Sequence, residues 1–414
     1  MADIRDLLER ERERFTMPPD AHDRLLRRRA RRDRRGRITA AVVATLVVVG
    51  GVGGGLWAIR STGHRPAVGT MATPSPASSL KSRKGTHQPE GMTSVSGPME
   101  FLDDVHGWTV GSKGDVLTSA DGGHTWASSL AGGSAVTAVD FLDLDHGWAL
   151  TSSGLLRTAD GGATWVDLGG PIMSSVQFLT PEAGWGVRQL EGPPALGQLV
   201  KSEDGGASWT QVGLEVNSVC FTDQTNGWAA GPAEAGLALF KSTDGGTSWD
   251  EHAIPTPGGD MAAGWIGTVR CAGNDAWVLG TDGVAAGHQA FAVWRTRNGG
   301  PSAEPVLQEA STHPLGEGLG IPDAAGPYPG PMVAFSGPQA ALISWSPSGG
   351  PAELQRTDDA GATWSAFAIT GRPAAAPGAS FVNPKMGWVV AGELDDGSPL
   401  VMVTRDGGAT WVRP

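Results

Sequence analysis

The sequence predicts an all-β chain, a seven-bladed β-propeller, preceded by a helical Arg-rich segment and one transmembrane helix. Three observations carry this. The octapeptide Ser119 to Trp126, S-A-D-G-G-H-T-W, recurs as Ser/Thr-x-Asp-x-Gly-x-Thr/Ser-Trp around Asp160, Asp204, Asp244, Asp359 and Asp406, with a degenerate copy at Thr296 to Ser302. A companion motif runs from Phe101, Phe141, Phe178, Phe221 and Phe381 to a Gly-Trp whose Trp lies seven residues on; it is shortened from Cys271 and weakest at Phe335, where Leu342 takes the Trp position. The two motifs alternate seven times over residues 93–414, about 46 residues per repeat, a period that signals a repeat architecture.

Residues 1–37 hold thirteen Arg against eight acids, nine of the Arg between Arg24 and Arg37. Asp20 after Pro18-Pro19 is an N-cap for a helix from Ala21. The segment reads as a topology signal, or as a patch for a partner or for anionic lipid. Ile38 to Ile59 follows, 22 residues without a charge. At about 1.5 Å per residue it spans roughly 30 Å of hydrocarbon. Arg density before it and Trp57 near its end put the N-terminus in the cytoplasm and the rest outside. An uncleaved anchor is expected; a cleaved signal peptide is the alternative. Residues 60–92, rich in Pro, Ser and Thr, read as an unstructured stalk.

Net charge is −12; with five bases against one acid in residues 60–90, the body from residue 91 carries −21. Such a body would repel nucleic-acid phosphates, so no nucleic acid is expected. Cys220 and Cys271 match no metal pattern and lie about one repeat apart. They form either a bridge, outside the cytoplasm, or two buried thiols.

Each repeat reads as four strands, A to D. The companion motif is the A–B hairpin, and the octapeptide is the C–D turn. Four-stranded blades set radially leave only short, protected edges. The octapeptide residues suit a staple. Gly123, Gly162, Gly206, Gly246, Gly361 and Gly408 allow a tight turn. Asp121, Asp160, Asp204, Asp244, Asp359 and Asp406 accept backbone N–H groups of their own turn. Trp126, Trp165, Trp209, Trp249, Trp364 and Trp411 pack between blades, burying about 200 Å² each. These Asp are therefore structural, not catalytic. His106 and His146 occupy equivalent A–B turn positions and are read as local hydrogen bonders; a Ca²⁺ site at the turn acids Asp103, Asp104, Asp143 and Asp145 is the weaker reading. Only Trp265 and Trp345 fall outside both motifs, Trp57 of the anchor and Trp294 of a strand C apart.

The repeat resembles the Asp-box (BNR) repeat of sialidase-like propellers. Its F-x₆-W and T-x-D-G-G-x-T-W form is most similar to the photosystem II assembly factor family (Ycf48-like). The resemblance covers residues 93–414. It implies the propeller fold and a role in assembling or stabilising a membrane-associated complex, without implying the photosystem partner. Sialidase activity is not expected, because the chain has one Tyr, in P-Y-P-G-P, and no Arg-Ile-Pro motif near the first blade.

All length variation falls in the B–C and D–A loops, so the binding surface is placed on that face. Its candidates are Glu191, Glu234, Asp282, His288 and Glu393, with Glu309, His313, Glu317 and Tyr328 in the longest loop, 301–330. No cofactor, metal or catalytic residue is assigned. The expected function is a non-enzymatic binding or assembly module for a protein or cell-wall glycan at the cell envelope. A glycoside hydrolase is the alternative, requiring two acids that the sequence alone does not pair. Signalling through residues 1–37 is a third.

Overall fold

The structure, a computed structural model, describes residues 98–130, 135–190, 196–233, 236–256, 265–285, 288–300, 302–309, 320–324, 328–335, 337–345, 351–369, 378–394 and 398–414, without the side chains of 283–288. The expected cytoplasmic segment, transmembrane helix and stalk lie outside the described residues. Among the described residues no helix is long and apolar enough to cross a membrane.

The described chain is all strand and turn, a seven-bladed propeller of consecutive antiparallel meanders. The inner strands A are Met99–Phe101, Val136–Phe141, Met173–Phe178, Ser218–Phe221, Ile266–Ala272, Tyr328–Ala334 and Ala379–Phe381. Each touches the next round the ring, and the first touches the seventh. Outer strands such as Thr210–Val216 alternate exposed polar with half-buried residues, as edges facing water do. Two blades depart from four strands. Blade 5 adds Asp323–Ala324, parallel to Ala303–Glu309. Blade 7 has three strands, and its chain end returns only as a bridge between Val403 and Val412.

Seven hydrophobic clusters fill the seven interfaces between blades. The strand-A Phe lies across the first Gly of strand B. A Cβ on Gly107 or Gly147 would stand 2.5 or 2.4 Å from the ring of Phe101 or Phe141, so the flat approach requires glycine. The Trp after that Gly stacks on the Phe of the next blade. Ring centroids are 3.8 Å apart for Trp108 on Phe141, 3.6 Å for Trp148 on Phe178, 3.8 Å for Trp185 on Phe221, and 3.9 Å for Trp388 on Phe101. The last pair closes the ring. Each of these indoles also donates Nε1–H to a turn carbonyl of the next blade: Gly161, Gly205, Gly245 and Gly122 respectively. The octapeptide Trp meets the same Phe edge-on, as Trp126 meets Phe101 at 5.9 Å.

One register expectation is corrected. Blade 6 pairs Ala334 with Ala340 and Val333 with Ala341, and Ala340 with Thr357. Ala334 and Ala341 thus hold the Phe and Trp positions, one residue before Phe335 and Leu342. Phe335 instead takes the place of Leu102, its N–H donating to Gln339 O as Leu102 N–H donates to His106 O.

A belt of hydrogen bonds runs round the inner strands. In five of the seven blades the residue before the Phe position uses its side chain to accept the N–H at the Phe position of the following blade. Glu100 accepts from Phe141 (2.6 Å), Asp140 from Phe178 (3.0 Å), Gln177 from Phe221 (2.7 Å) and Ser380 from Phe101 (2.8 Å). Cys220 Sγ accepts from Cys271 N–H, and the two cysteines are joined in a disulfide with Cα atoms 5.8 Å apart. Of the two readings of these cysteines, the bridge is the one observed.

Candidate functional site

The two faces of the ring are set by which turns lie together. The C–D turn is hydrogen bonded to the A–B turn of its own blade: Gly122 N–H to Val105 O, Gly161 to Asp145, Gly205 to Glu182, Gly245 to Thr225 and Gly407 to Lys385, each 2.8 or 2.9 Å. These turns share one face, and the B–C and D–A loops emerge on the other.

On the turn face the octapeptide closes on itself. In blade 1, Ser119 Oγ donates to Asp121 Oδ1 (2.8 Å) and accepts from Gly123 N–H (2.9 Å). Asp121 then accepts Thr125 N–H (2.9 Å) and Thr125 Oγ1–H (2.6 Å). The same set recurs at Asp160, Asp204, Asp244, Asp359 and Asp406. At Asp244 and Asp406 the hydroxyls of Ser248 and Thr410, then their N–H groups, hold the carboxyl down to about 2. A carboxylate that is ionised and saturated by its own turn has no proton to trade. In the A–B turns, Asp103 accepts from the N–H groups of Val105 and His106 and from His106 Nδ1, and Asp143 does the same with Asp145 and His146. Burial opposes the charge at both, but these bonds outweigh it and lower both pKa values. Among the described residues no three His, Cys, Asp or Glu side chains cluster as a metal site. An open depression of about 450 Å³ on this face, between the turns of blades 3 and 4, is lined by the same turn groups, Asp204, Ser208 and Gly246 among them.

The loop-face candidates are scattered. Glu191, Glu234, His313 and Glu317 lie outside the described residues, and His288 opens a strand with its side chain outside them. Asp282 lies within strand B of blade 5, its carbonyl taking Gln289 Nε2–H at 3.2 Å. Glu309 is a correction: it does not belong to a loop but ends strand Ala303–Glu309, 2% exposed. The long blade-5 insertion is partly strand: V-L-Q-E prolongs strand Ala303–Glu309, and Asp323–Ala324 pairs on its outer edge. Glu393 ends a strand of blade 7 and accepts Ser112 Oγ–H of blade 1 at 3.0 Å, bridging two blades. Tyr328 starts the inner strand of blade 6 and lies against Trp345, ring centroids 5.1 Å apart. Both rings are half-buried, one of them a Trp that belongs to neither motif. The other such Trp, Trp265, is buried beside Trp294 between blades 4 and 5.

The carboxylate pair that sequence reading missed is Glu100 and Asp140, 4% and 2% exposed. Burial, then the Glu100 charge, raises the Asp140 pKa well above the usual carboxylate range. Each accepts a backbone N–H of the following blade. The signal was present in M-E-F and V-D-F, where one polar residue interrupts an inner strand just before Phe.

The sequence matches no protein-family model, and no curated protein matches it. Solved structures do. The chain is similar to a Ycf48 with a D1 peptide bound, at 15% identity over 79% of this chain and 96% of that one, with a TM-score of 0.46. It is similar to the Ycf48 of Cyanidioschyzon merolae at 20% identity over 78% and 96%, TM-score 0.47. An ancestral GH74 enzyme matches at 15% identity over 77% of this chain and 47% of that one, TM-score 0.50, so the chain spans about half its length. At these identities the likeness is one of fold.

Proposed function

We propose that the chain is a non-enzymatic binding or assembly module of the cell envelope. A single N-in anchor at residues 38–59 holds it, a stalk at 60–92 spaces it, and the propeller of 93–414 receives a partner on its B–C and D–A loop face. We also read the octapeptide as an Asp-box of the sialidase-like type, in its Ycf48-like form. The observation that carries the reading is the division of labour between faces. The turn-face carboxylates are saturated by their own hydrogen bonds, while length variation and the half-buried Tyr328–Trp345 pair sit opposite. An aromatic pair of this kind suits an extended polypeptide or a sugar ring. The Cys220–Cys271 disulfide supports a place outside the reducing cytoplasm. The similarity of the repeat to assembly-factor propellers supports a polypeptide as the partner.

Crosslinking in native membranes, followed by capture of the full chain, tests this. Recovery of one dominant envelope protein is expected, with Tyr328→Ala plus Trp345→Ala reducing its yield. Equal capture by that double variant would move the surface elsewhere. The glycoside hydrolase reading needs two carboxylates facing one cleft, about 5–10 Å apart. Turnover of a cell-wall glycan by the purified chain would put that reading first.

A further inference from the structure

The belt round the inner strands is broken at two adjacent places. In blades 1 to 4 and 7 the residue before the Phe position is Glu100, Asp140, Gln177, Cys220 or Ser380, and each accepts an N–H from the next blade. In blades 5 and 6 that residue is Arg270 or Val333. Neither side chain has an acceptor, so the N–H groups of Ala334 and Phe381 lack the partner their five counterparts have.

Arg270 adds a second donor set at the same gap. It stands opposite Trp277 on the inner strand, on the side packed against blade 6. Its Nη1 donates to Val269 O, 3.0 Å away. Among the described residues no carboxylate pairs with it, and burial alone pushes its guanidinium down to about 10. Partly buried cations are ordinarily paired. Its one acceptor among the described residues is that backbone carbonyl, in a body carrying −21 overall. Arg270 and Val333 are partly exposed, as is Ser380 at the filled place of blade 7, whereas Glu100, Asp140, Gln177 and Cys220 are buried.

We propose that the blade 5–6 place of this gap, formed by the Arg270 guanidinium with the N–H of Ala334, is a carboxylate-binding niche in the wall of the central channel. The belt itself indicates the ligand chemistry, since carboxylates and a carboxamide fill the equivalent places in blades 1 to 3. A free small carboxylate and the carboxylate of a polypeptide present the same two oxygens. The second source rests on the protein-binding reading; the niche itself does not.

The probe is acetate, titrated into the full-length protein in detergent at ionic strength held constant with chloride, with unfolding followed by tryptophan fluorescence. A saturable rise in Tm is expected. Arg270→Gln should weaken the apparent affinity roughly tenfold or more, the loss of a charge-assisted pair of hydrogen bonds. Val333→Glu supplies an internal occupant. Glu100 and Asp140, on neighbouring places in the belt, already sense each other's charge, so a carboxylate at 333 lies at comparable spacing from Arg270. That variant should melt higher without acetate and respond to it no further. No rise in the wild type, an equal rise in Arg270→Gln, or an undiminished response in Val333→Glu overturns the proposal. If Arg270→Gln does not fold, the Val333→Glu comparison decides. A hexapeptide with a free C-terminal carboxylate that binds more tightly than acetate, and loses binding when amidated, supports a polypeptide source; acetate matching the peptide supports a small-molecule source. A failed membrane capture leaves the acetate result standing, so the two readings fail separately.

Discussion

Blades 7, 1, 2, 3 and 4 form a regular arc, and blades 5 and 6 an irregular one. In the regular arc every interface repeats one device: Phe over Gly, Trp on Phe, indole N–H to a turn carbonyl. In the irregular arc the parts change together. Phe becomes Cys271 or Ala334, and the Gly beneath it becomes Ala276 or Ala340, because no ring now needs the space. Where Cys271 has replaced the ring, the disulfide to Cys220 joins blades 4 and 5. The carbonyl caps pass to cations. Lys241 Nζ reaches Gly299 O, and Arg356, standing opposite Ala341, reaches Pro384 O at 2.6 Å and Gly407 O at 3.4 Å. In blade 5, which lacks the octapeptide Asp, Asp275 of the A–B turn accepts Gly299 N–H at 2.8 Å and pairs with Arg295 at 2.7 Å. At the blade 4–5 and 6–7 interfaces the volume and the carbonyl are thus served by other residues, and the arc released from the common device is where the belt opens.

The largest expected effect breaks the regular device. Trp148→Ala removes a fully buried indole stacked at 3.6 Å on Phe178 and orphans Gly205 O. It should cost about 3–5 kcal/mol, read as a lowered midpoint in urea. Arg356→Ala, at the blade-6 interface where Ala341 replaces the Trp, should cost clearly less, since the side chain lost is only partly buried. Equal losses would erase the distinction between the arcs.

Next comes the irregular arc's own staple. Reducing the Cys220–Cys271 bridge, which closes a loop with a sequence separation of 51, should cost about 2–4 kcal/mol. The drop in Tm on adding reductant measures it, with Cys220→Ala plus Cys271→Ala as the insensitive control. A regular-arc destabilisation such as Trp148→Ala should add to it independently, because the two interfaces share no residue.

The belt carries the third prediction. Asp140 keeps its proton to a higher pH when folded than the ordinary value of about 3.9 in an unfolded chain. Between those two values the folded state binds more protons, so this group's contribution is full below about pH 4 and is lost as pH rises through the folded value. Asp140→Asn retains an acceptor for Phe178 N–H and cannot ionise. Its stability should be flatter with pH and no lower than wild type at neutral pH. A variant that keeps the wild-type slope would assign the pH dependence to another group.

The sequence revealed the regular arc most fully. Motifs repeated with the same spacing placed the blades, the turns, the structural octapeptide Asp and the two faces. Legibility failed where the repeat did. With neither Phe nor Trp to anchor it, blade 6 was read one residue out of register, and only the pairing of Ala340 with Thr357 sets it. Glu309 was read as loop because the degenerate octapeptide gave no signal for the length of the outer strand that follows. Glu100 and Asp140 were absorbed into apolar runs, since a strand pattern records which side a residue faces and not that the neighbouring blade offers it an N–H. The loop face was located by variation in length, a signal that carries position without chemistry.

The smallest expected effect concerns a single β-carbon. Ala360 sits at φ 66°, where the regular turns have Gly122, Gly161, Gly205, Gly245 and Gly407 at φ 70–76°. Its N–H bonds Pro338 O at 2.9 Å, so the turn has kept its shape against the preference of the residue. An L-residue in this left-handed region costs about 1–2 kcal/mol. Glycine removes that cost but gives the unfolded chain more freedom, worth about 0.4–1 kcal/mol against folding. Ala360→Gly should therefore stabilise by about 0.5–1 kcal/mol. The reverse change in the regular arc should be worse than symmetrical: Gly205→Ala adds the same strain and also drives its Cβ to within 2.7 Å of Pro181 O. If Ala360→Gly were instead neutral while Gly205→Ala is costly, blade 6 would have relaxed round its alanine, and the irregular arc would differ from the regular one in backbone as well as in side chains.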